Sequence, residues 1–219
     1  MVTRFENRRQ AGRRLAERLD ESIGARQAAD VVVLALPRGG VPVAAEVARA
    51  LEAPLDVVVA RKIGAPGQPE VGIGAIAGED PPLFDPRALQ ILDVTETDLA
   101  PTVARERAEL HRRELLYRRG RPAPRLEGKT VVLVDDGLAT GVTARAALRR
   151  LRAENPARLI LAVPVCAPES AVELRREADD LICLEQPPLF HAVGLWYDDF
   201  DQVSDQEVID LLEEQRAVH

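Results

Sequence analysis

The chain has 219 residues, 46% hydrophobic and 30% charged, with 29 Lys and Arg against 36 Asp and Glu for a formal net charge of −7. This excludes a disordered or collagen-like chain, and the acidic balance argues against broad nucleic-acid binding. No run approaches the roughly 20 apolar residues that span a bilayer, Met1 to Arg18 lacks a secretory apolar segment, and the two isolated cysteines, Cys166 and Cys183, fit a reducing cytoplasm better than a disulfide scaffold or a Cys-based zinc site.

Thr3 to Asp20 reads as a helix with Phe5, Leu15, Ala16 and Leu19 as its apolar stripe. Val31 to Leu36 is a continuous apolar run, the pattern of a strand buried on both faces of a parallel sheet. Pro37-Arg38-Gly39-Gly40 breaks it, and Val41 to Leu51 is helical, with Pro42 tolerated in the first turn. Asp56 to Ala60 reads as a second strand ending at Arg61-Lys62. Gly64 to Gly78, rich in Gly and Pro, reads as a loop with a short strand at Ile73 to Ile76, which Leu83-Phe84 could pair. Thr95 to Arg119 is a helix, with Thr95 and Asp98 at capping-box spacing and a basic later half.

Val131 to Val134 is the third strong strand, followed by a helix to about Ala153. Leu159 to Val163 and Leu181 to Leu184 are further strands, with a helix from Glu169 to Ala178 between them. The tail holds Phe190, Trp196, Tyr197 and Phe200, then an amphipathic helix from Ser204 to Gln215. Alternating strands and helices imply an α/β fold with a doubly wound, mainly parallel sheet. One domain over 1–219 is expected: a core over 28–185, a flexible insert over 64–128 and a hood or tail over 186–219.

The most informative segment is Val131 to Thr143, VVLVDDGLATGVT. A buried strand delivers Asp135 and Asp136 to its C-terminal end, where open α/β sheets place ligands. Neighbouring strand residues point to opposite faces, so the two acids can reach both sides of that end. The turn with Thr140, Gly141 and Thr143 opens a helix whose free N–H groups suit a phosphate. Carboxylates beside a phosphate cradle make sense for a ligand that also carries hydroxyls or a metal, as a sugar phosphate does.

This run resembles the phosphoribosyl-pyrophosphate signature of the type I phosphoribosyltransferases. The resemblance implies that Asp135 and Asp136 hold the ribose hydroxyls, while Ala139, Thr140, Gly141, Val142 and Thr143 form the 5-phosphate loop. Arg38, Gly39 and Gly40 stand where the family has its pyrophosphate loop, with a cis peptide expected at Arg38–Gly39. Arg61 and Lys62 are similar to a basic pair that contacts pyrophosphate. Alone, the first segment reads as a tight turn and the second as a solvated strand end; three features in order are more specific than any one.

The implied reaction is transfer of 5-phosphoribosyl from phosphoribosyl pyrophosphate to a nitrogenous base, with magnesium carried by the ligand and its waters and no direct protein metal ligand. A lid is expected within Gly64 to Gly78, a segment that also holds Glu70. The family's 6-oxopurine enzymes usually have an aspartate where this chain has Ala139, which weakens those bases as acceptors. Phe190 and Trp196 are the base-stacking candidates, or else they close the core under the tail helix; His191 fits a satisfied histidine better than a catalytic one. Family members are commonly dimers or larger, so a homo-oligomer is expected.

Gly72 to Ala77 matches a GxGxxA dinucleotide pattern but lacks the flanking strand and helix. Two rival functions remain: a regulator that binds nucleic acid through the Arg-rich stretch from Arg105 to Arg125, and a phosphohydrolase or other transferase acting on a phosphorylated sugar.

Overall fold

The computed structural model describes residues 4–24 and 30–217. The expected helix start at Thr3 and the first two residues of the expected core, 28 and 29, lie outside the described residues. Five parallel strands form the main sheet: β1 (Val31–Ala35), β2 (Leu55–Val57), β6 (Thr130–Val134), β7 (Arg158–Val165) and β8 (Asp180–Glu185), in the order β2-β1-β6-β7-β8. A separate antiparallel sheet holds β3 (Ala60–Ala65), β4 (Gln68–Ala77) and β5 (Leu83–Phe84).

Residue parity along the strands explains the layers. Val31, Val33 and Ala35 of β1, with Val132 and Val134 of β6, face a core closed by α1 (Arg8–Ile23), α2 (Gly40–Ala50) and α7 (Asp205–Arg216). Val32 and Leu34, with Val131 and Leu133, face a second core closed by α5 (Val142–Arg152) and α6 (Pro168–Leu174). Both faces of the strand are therefore apolar, as the continuous runs imply. The doubly wound sheet expected from the pattern is present.

Local signals set the helix ends. Asn7 caps α1 by accepting from the Gln10 N–H at 2.9 Å. The Phe5 of the expected stripe lies before the helix, in a bridge to Tyr197. Thr95 and Asp98 form the reciprocal capping box of α4 (Glu96–Arg118), as their spacing suggests. A short helix, α3 (Pro86–Leu92), precedes it and is absent from the sequence reading.

Two expectations fail between residues 57 and 78. The second strand ends at Val57, and Arg61 and Lys62 lie inside β3 instead of at a strand end. The Gly/Pro-rich loop is instead a hairpin whose second strand runs for 10 residues. Two of its glycines are packing sites: a Cβ on Gly74 would stand 2.7 Å from the Leu83 carbonyl and from Phe84 Cδ1, and one on Gly72 would stand 2.9 Å from Lys62 Cδ. Glycine in a strand permits close approach as well as marking turns. Leu83-Phe84 pairs with this strand, through Leu83–Ala75 and Phe84–Gly74.

Among the described residues, no helix is long and apolar enough to cross a membrane. Both cysteines are free thiols.

Candidate functional site

The strand order creates one topological switch point. From β1 the chain moves outward to β2, whereas from β6 it moves the opposite way to β7. In open α/β sheets the crevice at the C-terminal ends of two such strands is the ligand site. The Pro37 to Gly40 loop leaves β1 there, and Asp135 to Gly141 leaves β6 beside it.

These two loops touch. A Cβ on Gly39 would lie 2.0 Å from Asp136 Oδ2, and one on Gly40 would lie 2.8 Å from the Val134 carbonyl and 3.2 Å from Asp135 Oδ1. Gly39 has an ordinary φ of −60°, so close contact is what requires glycine there. The cis peptide of this loop is Pro37–Arg38, one residue earlier than the resemblance implied. Arg38 reaches away from the acids, with Nη1 3.8 Å from Asp205 Oδ1 at the start of α7. The phenol of Tyr117 donates to the same Asp205 oxygen at 2.6 Å.

Asp135 and Asp136 are strongly desolvated. Burial and the neighbouring Asp136 charge push the Asp135 carboxyl well above the usual carboxylate range. Burial also raises Asp136, and the Arg8 guanidinium opposes that rise. Asp135 Oδ1 accepts from the Asp136 N–H at 2.9 Å. Arg8 Nε donates to Asp136 Oδ2 at 2.8 Å. Two desolvated, adjacent carboxylates thus share one strand end.

The next turn carries backbone N–H groups that no side chain caps. Gly141 has φ +66° and caps α5 without a side-chain partner, which leaves the first helical N–H groups for a ligand. Thr140 is exposed, and Ala139 has its carbonyl held by the Ser170 hydroxyl at 2.5 Å. Thr140, Gly141 and Val142 line a cavity of about 510 Å³ whose far wall includes Gly72, Phe84 and Arg87. The hairpin and β5–α3 thus lean over the turn.

Other expected site residues lie further out. Arg61 is paired with Glu106 of α4 at 2.7 Å. The stem of Lys62 packs across Gly72, on the side of the hairpin near Val142. Phe190 and Trp196 pack, partly buried, on the cluster of Phe5, Ala11, Val165 and Tyr197. His191 is exposed.

Sequence reasoning passed over four neighbours of the acids: Arg8, Val193, Tyr197 and Phe200. Tyr197 donates its hydroxyl to the Asp136 carbonyl at 2.5 Å. A Cβ on Gly137 would lie 2.6 Å from Val193 Cγ1, so the tail's 3-10 turn Val193–Trp196 seats directly beside the acid pair. The scarcity of aromatics, 3% of the chain, was the available signal for the tail. Nothing in an Arg-rich N-terminus singled out Arg8.

The switch-point crevice, the acid pair and the turn at the start of α5 thus lie together at the C-terminal edge of the parallel sheet. The chain belongs to the phosphoribosyl transferase domain family, whose profile matches residues 1–197. That family is one of pentosyl-transferring glycosyltransferases. A protein of Mycobacterium tuberculosis H37Rv, provisionally named a phosphoribosyl transferase, is 47% identical over 214 residues. The match takes in 95% of this chain and 46% of that protein, so the chain spans about half the length of the curated relatives it matches. The crystal structure of TT1426 from Thermus thermophilus is 43% identical, with TM-score 0.79, and covers 97% of this chain and 99% of that one. The AQ2163 protein of Aquifex aeolicus shares the fold at 14% identity and TM-score 0.50, over 81% of this chain and 73% of its own.

Proposed function

We propose that the protein transfers 5-phosphoribosyl from phosphoribosyl pyrophosphate to a nitrogenous base, releasing pyrophosphate. The observation that carries this reading is the contact between two loops at the switch point, Gly39 against Asp136 and Gly40 against Asp135. A pyrophosphate loop and a ribose-binding acid pair belong side by side, because C1 of the sugar carries the diphosphate. Residues 1–219 are read as one phosphoribosyltransferase-like unit with a C-terminal hood.

In this reading Asp135 and Asp136 accept the ribose hydroxyls, and the turn Ala139-Thr140-Gly141-Val142-Thr143 takes the 5-phosphate at the α5 N-terminus. Arg38 and Gly39 present backbone N–H groups to the pyrophosphate, and Gly40, whose N–H donates to the Leu36 carbonyl at 3.1 Å, lets the loop approach it closely. Lys62 adds positive charge from the hairpin, and Arg61 beside it is offset by Glu106. The work is positioning and electrostatic stabilisation of the leaving group. Water competes for an oxocarbenium-like sugar, so the hairpin over the phosphate turn serves to exclude it. Phe190 and Trp196 bound the acceptor side, and the Ala139 methyl cannot serve as the proton-transferring group that 6-oxopurines use.

Magnesium fits as an ion carried on the ligand. Among the described residues no group of three or more His, Cys, Asp or Glu is arranged to hold a metal. Asp135 Oδ1 and Asp136 Oδ2 already accept from the Asp136 amide and Arg8. Such an ion would offset the charge of the diphosphate while keeping most of its waters, and Asp135 and Asp136 would hold the sugar beside it.

The structure gives a reason to prefer this over nucleic-acid binding. Two of the α4 arginines are tied into the fold: Arg107 donates to the Gly78 and Asp80 carbonyls at 2.5 and 2.8 Å, and Arg118 donates to the Val57 carbonyl at 2.9 Å. Arg112 and Arg113 both bind Glu109 at 2.7 Å.

The test is pyrophosphate release from magnesium phosphoribosyl pyrophosphate across a panel of nucleobases, with a no-base control. Base-dependent release is expected, and the doubly substituted Asp135→Asn/Asp136→Asn protein should lose it by at least about a thousandfold while unfolding cooperatively like the parent. Full activity in that variant overturns the assignment. Base-independent phosphate release points instead to a phosphohydrolase.

A further inference from the structure

The N-terminal segment and the tail are joined across the end of the sheet. Phe5 N–H donates to the Trp196 carbonyl at 2.8 Å, and the Phe5 carbonyl accepts from Asp198 N–H at 2.8 Å. Asp199 N–H donates to the Glu6 carbonyl at 2.9 Å. One long side chain crosses from this clasp into the site. Arg8 gives Nε to Asp136 Oδ2 at 2.8 Å and Nη1 to the Asp201 carbonyl at 2.7 Å. Its guanidinium carbon lies 3.8 Å from the centroid of the Phe200 ring. The Arg8 and Asp136 side chains are 11% and 14% exposed.

Each contact constrains the other. Phe200 stacks on the planar fork, and the Asp201 carbonyl fixes its rotation, so Nε has one direction to point. Asp136 Oδ2 occupies the space a Gly39 side chain would need. The carboxylate is therefore held from three sides: by Arg8 in front, by the glycine loop beneath, and by Tyr197, whose hydroxyl fixes the Asp136 backbone. Asp135, its neighbour in the chain, is a second desolvated carboxyl beside it.

We propose that Arg8 is a positioning residue for ribose recognition, holding the Asp136 carboxylate in one place and neutralising it beside the pyrophosphate loop. The inference rests on the reading of Asp136 as a sugar-binding acid. Arg8 acts through Asp136 and touches no reacting atom. Without it, a desolvated acid next to a second acid has no counter-charge, and its oxygens face the loop that must receive a polyanion. Coupling between contacting members of such a network is commonly large enough to measure.

The test is a double-substitution cycle read as the affinity of the intact protein for magnesium phosphoribosyl pyrophosphate by calorimetry. Arg8→Ala is expected to weaken binding by about 10- to 100-fold, the range found when residues that orient a ligating group are removed. Arg8→Lys should recover part of that loss, since it keeps charge but not the fork. In an Asp136→Asn background, Arg8→Ala should cost little more. A merely structural Arg8, tying the tail through Phe200 and Asp201, would cost the same in both backgrounds, and that result overturns the proposal. If Asp136→Asn binds too weakly to measure, or Arg8→Ala does not fold, Arg8→Lys decides: parental affinity overturns the proposal, and an intermediate affinity supports it. Failure of the unsubstituted protein to bind would instead sink the functional reading, and the inference with it.

Discussion

In the parallel sheet, β1 and β6 are buried at every position, and their polar neighbours gather in the loops at the strand ends. In the hairpin sheet, Arg61 and Lys62 sit within a strand, and glycines occupy its packed positions. The first arrangement concentrates polar groups where strand geometry opens a crevice. The second spreads them along a surface that folds back on α4 and α5. Glycine shows the contrast best. At the site, Gly39 and Gly40 are small because a carboxylate and a backbone carbonyl press against them. At the hairpin tip, Gly67 has φ +74° and open space around its Cα.

The same substitution therefore separates the two regions. Gly39→Ala should displace Asp136 Oδ2 from Arg8 and abolish measurable ligand binding, read by calorimetry; affinity within a few-fold of the parent would mean the loop is not packed as described. An intermediate effect is expected at Asp135. Its carboxyl is raised in the fold, so the folded state holds more protons than the unfolded one above the ordinary aspartate value. Stability then falls as pH climbs through the raised value, and the penalty is complete above it. Asp135→Asn keeps the acceptor for the Asp136 amide and removes the penalty. It should stabilise the fold at neutral pH by about 1 kcal/mol, of the size found when a strained site is relaxed. Thermal unfolding from acid to neutral pH should show that gain vanishing below the unfolded carboxyl value; destabilisation at every pH would refute it. The smallest effect on the site belongs to Gly67→Ala, which costs only stability, about 1 kcal/mol from a disfavoured φ. That is a shift in Tm of a few degrees, with ligand affinity unchanged.

The comparison also explains what the sequence disclosed. Uninterrupted valines and leucines have one economical fate, a strand covered on both faces, so β1, β6 and their loops were legible. Asp135, Asp136, Gly39 and Gly40 stood out because each pair closely follows a continuous apolar run, and the alternation of strands and helices implied a parallel sheet. The hairpin was hidden because Gly64, Gly72 and Gly74 carry the same letter whether they bend a chain or let two strands meet. The apolar letters from Val57 to Ala60 carried no sign that the chain turns there. Arg8 was hidden for a different reason. It is one of several arginines near the N-terminus, and only the packing of Phe200 and the position of Asp136 distinguish it.

The bridge between Phe5 and Tyr197 joins residues 192 positions apart. Contacts of such separation close late, after their loop entropy has been met by other structure. During synthesis, β1 and β6 have emerged long before the segment around Phe200 exists. A nascent chain can thus possess its acids and its glycine loop while Asp136 still lacks its counter-charge. On the proposed reading, binding competence then waits for the tail around Phe200, so a product stalled before it carries β1 and β6 while Asp136 lacks Arg8's anchoring partners.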